Sequence, residues 1–203
     1  MTIKQLILTI ITPLSISLTL TAQNLEEAFS KSYIAEANGK YVEAAAPLKA
    51  VYNAKSYELN LRLGYVTYMA GSLVESKGYY QKAVYMMPYS IEAKLGYVLP
   101  LAALNEWSTV ANEYRDILKI DPQNSTANYR LGSIYYYNKD YATAYKHLEK
   151  VVNLYPFSYD GLILFAWTHY QMGKMNEARA LFKRVLLLSP KDKSALEGLA
   201  LVK

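Results

Sequence analysis

The chain has 203 residues, 52% of them apolar and 19% charged, which suits a folded protein and excludes a disordered tail. Its formal charge of +5 is scattered, apart from Lys183, Arg184, Lys191 and Lys193 near the C-terminus, so there is no basic stripe and nucleic acid is excluded as a partner. There is no cysteine, which excludes disulfides, thiolate metal sites, cysteine nucleophiles and lipid attachment through cysteine.

The first element is a leader. A short basic start, Met1 to Lys4, precedes an uncharged, mostly apolar run from Leu6 to Leu20 and a small-residue exit at Thr21-Ala22-Gln23. This is the grammar of a signal peptide over residues 1–22, cleaved after Ala22. A retained membrane anchor is the alternative, but Pro13 and the many Ser and Thr make the run weak and short for a spanning helix. Membrane contact is therefore expected only through an uncleaved N-terminal segment. The expected location of the rest is outside the cytoplasm, in the periplasm or cell envelope if the source is Gram-negative.

A ruler of 34 residues governs the rest of the chain. Pro88, Pro122, Pro156 and Pro190 fall at that interval, and two places after each stands a helix-capping residue: Ser90, Asn124, Ser158 and Asp192. Ser56 extends the series backward. Proline cannot continue a helix, and the following side-chain oxygen can accept from the free N–H groups of the next one. Within each interval a second boundary appears, at Asn38-Gly39, Gly71-Ser72, Asn105, Asn138 to Asp140, and Gly173. Asn24 to Glu27, Ser72 to Glu75 and Ser194 to Glu197 read as capping boxes. The spacing predicts ten helices in five antiparallel pairs, over roughly 24–54, 57–88, 91–122, 125–156 and 159–190, and an unpaired C-terminal helix, 193–203, that covers the end of the stack.

The series Leu131-Gly132, Tyr135, Tyr141, Ala144, Leu148, Val151, Pro156 resembles the signature of the tetratricopeptide-repeat (TPR) family. Leu63-Gly64, Gly71, Tyr80, Ala83, Pro88 and Ala166, Gly173, Ala178, Phe182, Pro190 repeat it, and Ser32, Gly39, Tyr41 and Ala44 carry it into the first pair. The resemblance implies an all-α, right-handed superhelical solenoid over residues 23–203, with repeats at 25–56, 57–90, 91–124, 125–158 and 159–192 and a capping helix at 193–203. It also implies that the first helix of each pair lines the concave side. Repeat three departs from the pattern, with Val98 and Val110 at the small positions, Trp107 for the usual tyrosine and Pro100 inside a helix. A kink there, absorbed by Gly96, and a wider helix spacing are expected.

Tyrosine is over-represented, 21 residues against four phenylalanines and two tryptophans. Residues spaced 3 and 4 apart share a helix face. On the first helices the inward set is Phe29, Tyr33 and Glu36; Leu61, Arg62, Tyr65, Tyr68 and Met69; Leu95, Leu99 and Ala102; Tyr129, Arg130, Ser133, Tyr136 and Tyr137; and Ile163, Trp167, Tyr170 and Gln171. Of these, Tyr33, Arg62, Tyr65, Tyr68, Tyr129, Arg130, Tyr136, Tyr137, Trp167 and Tyr170 are the candidate ligand-binding residues, because aromatic anchors dominate binding faces. Arg62 and Arg130 could each fork onto a ligand carboxylate or lie over a tyrosine. Tyr80 and Tyr135 fall on packing positions.

No catalytic site is evident. The two histidines lie in different helices, His147 on the outer face of a second helix and His169 in place of a packing tyrosine. Phosphate loops, nucleophile elbows and HExxH sequences are missing. Glu36 and Glu58 are the main carboxylates of the inward face. The sequence thus points to a non-enzymatic interaction module of the envelope, without cofactor or metal, that binds an extended peptide or partner protein. Cell-wall glycan is a second ligand class, and a structural subunit of an envelope assembly a third role.

Overall fold

The computed structural model describes residues 24–202, so the leader assigned to residues 1–22 lies outside the described part. Every regular element described is an α-helix. Helix α1 runs through residues 24–37. It is followed by α2 (Tyr41–Ala50), α3 (Tyr57–Met69), α4 (Leu73–Met86), α5 (Ile91–Ala103), α6 (Trp107–Ile120), α7 (Ser125–Tyr137), α8 (Tyr141–Leu154), α9 (Tyr159–Gln171), α10 (Met175–Leu188) and α11 (Lys193–Leu201). The helices form two compact units, divided between Glu106 and Trp107. In the first, α3 packs on α4, with α2 against α3 and α4 against α5; in the second, α7 pairs with α8 and α9 with α10, with α11 against α10.

Local chemistry sets the helix ends. Ser56, Ser90, Asn124 and Asp192 each accept from the backbone N–H three residues on, at 3.2, 3.1, 3.0 and 2.8 Å. Asp140 does the same for α8. Ser158 precedes α9 but makes no side-chain cap bond. Helices α1, α3, α5, α7 and α9 stop in one way: Gly39, Gly71, Asn105, Lys139 and Gly173 all have positive φ, between 61° and 80°. The following N–H reaches back five residues, as in Ser72 to Thr67, Asp140 to Tyr135 and Lys174 to His169. This is the Schellman closure, which satisfies carbonyls the helix leaves free.

Two expected capping boxes do not form. Ser72 makes no cap bond, and Glu75 is drawn away to Lys49, 2.7 Å distant, while also accepting from the Tyr79 hydroxyl. At the C-terminus Asp192 caps α11, one residue before the helix begins, and Ser194 accepts from the Trp167 indole instead. The first pair is also shorter than expected: α2 ends at Ala50. Ala54 stands where later repeats have proline, and residues 51–55 turn without helix. The Tyr52 hydroxyl then closes the pair by donating to buried Asn60 at 3.0 Å.

The core repeats with the same ruler. Tyr80, Tyr114, Leu148 and Phe182, 34 residues apart, are all buried in second helices. The Tyr80 ring is wedged between two first helices. A Cβ built on Gly64 would fall 2.8 Å from it, and one on Gly96 only 2.2 Å. Leu148 meets Gly132 in the same way, and Phe182 meets Gly198 of α11. Gly96 therefore gives close approach, and α5 runs as one helix from Ile91 to Ala103 with buried Pro100 inside it.

Candidate functional site

In the first unit, the first helices α1, α3 and α5 surround a cavity of about 410 Å³, within the size range of small-ligand and side-chain pockets. Its walls are the rings of Phe29, Tyr33, Tyr57, Tyr65 and Tyr80 with Leu61, and its charged residues are Glu58, Arg62 and Glu92. Tyr80 is at once core and wall. Burial, reinforced by Tyr65 and Glu92, pushes its hydroxyl far above the usual tyrosine range, so the ring stays neutral.

Arg62 takes the second of the two roles open to it. Its guanidinium carbon lies 3.9 Å from the centre of the Tyr33 ring, and its Nε donates to the Ser32 hydroxyl at 3.2 Å. Glu36 forms an ion pair with Nη2, although that nitrogen lacks an aligned hydrogen-bond acceptor. The side chain is 9% exposed. Glu36 is shared with the Tyr65 hydroxyl, whose pKa is raised first by burial and then by that bond. Arg62 and Glu36 thus clamp the first pair to the second, and the wall they form carries little net charge. Tyr33 is 54% exposed above them, and Tyr68 is half-buried further along α3.

In the second unit the ring-bearing residues of α7 and α9 brace one another. Tyr136 bonds Gln171 and meets Tyr137 and Tyr141 edge-on at 5.4 and 5.6 Å. Tyr129 accompanies Ser133 and exposed Arg130, whose guanidinium is 5.8 Å from the ring centre. Trp167 faces its neighbours: the indole N–H donates to Ser194 at 2.8 Å, and the ring meets Phe182 and Tyr170 edge-on. Tyr137, 77% exposed, is the freest ring of the set. His147 is not on an outer face, because its Nδ1 bonds buried Asn128 at 3.0 Å and its ring stacks on Tyr135. His169 is buried against Tyr145 and Phe165. Among the described residues no group of three or more His, Asp or Glu is placed to hold a metal ion.

Residues 111–185 match the family model described as anaphase-promoting complex, cyclosome, subunit 3. The chain is also similar to a tetratricopeptide repeat protein from Parabacteroides merdae, with a TM-score of 0.77 and 25% identity over 89% of this chain and 72% of that one. The chain has the tetratricopeptide-repeat fold. MamA structures share the fold: one has a TM-score of 0.73 at 19% identity over 84% of this chain and 94% of its own, and MamA from Desulfovibrio magneticus has 0.72 at 16% over 84% and 97%. No curated protein matches. The TPR fold is a protein–protein interaction scaffold.

Two further wall residues, Tyr57 and Glu92, extend the inward-face set given by the sequence. Both stand in the first turn of a helix and both fit its spacing, Tyr57 four residues before Leu61 and Glu92 three before Leu95. The ruler itself marks Glu92, which lies 34 residues after Glu58.

Proposed function

We propose that this TPR protein is a non-enzymatic scaffold of the cell envelope that holds an extended segment of a partner protein against the ring-lined hollow of its first unit. The observation that carries the reading is the cavity itself: five aromatic rings and Leu61 around about 410 Å³. Such rings bury much area at little entropy cost, which suits an anchor side chain of a peptide. Export rests on the signal-peptide pattern of residues 1–22.

The test is selection of a displayed random-peptide library on the immobilised protein. Enriched peptides should lose at least ~10-fold in affinity to a Tyr65→Ala variant whose helical circular dichroism is unchanged. If no peptide is enriched, or if Tyr65→Ala binds them as well as the parent does, the reading fails. Cell-wall glycan is the second reading, favoured by Tyr137, whose ring is 77% exposed and free to stack on a sugar. Retention on purified peptidoglycan that Tyr137→Ala abolishes would put it first.

A further inference from the structure

We infer that the hollow of the first unit selects a cationic side chain, a lysine or arginine of the bound segment; this rests on the peptide-holding reading and names the chemistry it prefers. The cation of the wall is already spent, since Arg62 lies over Tyr33, donates to Ser32 and is ion-paired with Glu36. What remains is acidic. Glu58 and Glu92 line the same cavity, both are exposed, and neither has an ion-pair partner among the described residues. Glu58 only accepts from its neighbour, the Ser56 hydroxyl, at 2.9 Å. An acidic hollow in a protein of formal charge +5 runs against the background charge.

The two carboxylates are also held in register. They occupy equivalent first-turn positions of α3 and α5, 34 residues apart. The two helix starts are tied together by the Tyr57 hydroxyl and Ser90 Oγ at 2.8 Å. A first-turn carboxylate has an ordinary purpose, to complement the helix dipole, and Asp160 occupies the same place in α9. Each helix start supplies only about half a positive charge, so two full carboxylates still leave the rim negative. The rings below add to this, because their faces attract cations and their edges accept an aliphatic stem. Arg62 itself lies nine-tenths buried in the wall with its charge taken up by Glu36, so it does not offset the two rim carboxylates. An acidic occupant would face two unpaired like charges, which the site is built to reject.

The experiment uses the peptides enriched from the library. Their sequences should share a lysine or arginine at one position. Replacing it with norleucine should weaken binding at least ~10-fold at low salt. The Glu58→Gln/Glu92→Gln double variant should show the same loss and bind the lysine and norleucine peptides alike. Both glutamates are exposed, so the double variant is expected to fold; Glu92→Lys, which should reject the lysine peptide more strongly still, is the second check. Selected peptides without a fixed cation, or a double variant that binds as the parent does, would overturn the inference and leave peptide holding intact. Failure to select any peptide overturns both.

Discussion

Tyr80 decides how closely the helices of the first unit approach. Its ring has a glycine on each side, Gly64 in α3 and Gly96 in α5. It cannot swing clear of a methyl group on one without striking the backbone of the other. In Gly96→Ala the new Cβ would lie 2.2 Å from Tyr80 Cε1, inside any real contact. The gain in helix propensity is up to ~1 kcal/mol, but overpacking costs ~1–3 kcal/mol, so the net effect is destabilising. Gly78, within α4, has nothing within 4 Å of an added Cβ. There the same change should stabilise by ~0.5–1 kcal/mol. Urea unfolding of the two variants should therefore shift in opposite directions. Shifts of the same sign would show that the ring is not wedged between the two glycines.

At the scale of elements, α11 is a lid on an otherwise open end. Its Gly198 receives the fully buried Phe182 ring, the Val202 carbonyl accepts from Arg179 Nε at 2.8 Å, and the helix is tied back through Ser194 to Trp167 and through Asp192 to Tyr159. Removal of residues 191–203 should expose Phe182 and Trp167 and cost on the order of 3 kcal/mol. In a Trp107→Phe background, the emission of Trp167 should shift to the red and the unfolding midpoint should fall. An unchanged emission maximum would mean that Trp167 does not depend on the lid. The pairing of helices and this last helix were legible in the sequence because prolines, caps and small residues repeat at one interval. The partners of polar side chains were not: Ser72 and Ser194 fit a capping pattern, yet Lys49 claims Glu75 and Trp167 claims Ser194 from elsewhere in the fold. For the hollow, helical spacing exposed Phe29, Tyr33, Leu61 and Tyr65. The same spacing reaches Tyr57, four residues before Leu61, and Glu92, three before Leu95, but their place in the wall depends on how neighbouring helix starts are tied together.

For the molecule as a whole, acid should act unevenly. Both histidines lie in the second unit. His147 is held below its ordinary value of 6.5 by burial and then by Lys150 and Arg115; His169 is lowered by burial and by Lys174, against the opposing pull of Glu177 and Glu149. A histidine whose folded pKa lies below its unfolded one leaves the unfolded chain with more bound protons, so stability falls as pH drops through about 6.5 and is flat above it. The lowered carboxyls act later. Asp140 is held down by the side chain and N–H of Thr143, and Asp192 by the Tyr159 hydroxyl and the N–H of Ala195. Their contribution is complete above the ordinary value of 3.8 and is lost below it. Between pH 7.5 and 5.5, hydrogen-exchange protection factors should therefore fall in helices α7 to α10, while those of α3 and α4, which carry no histidine, stay level. His147→Gln keeps an amide to bond Asn128, and His169→Phe replaces a ring whose Nδ1 has no partner. Together they should remove the first acid step and leave the second. A double variant that still loses stability between pH 7 and 5.5 would place that proton uptake on other groups.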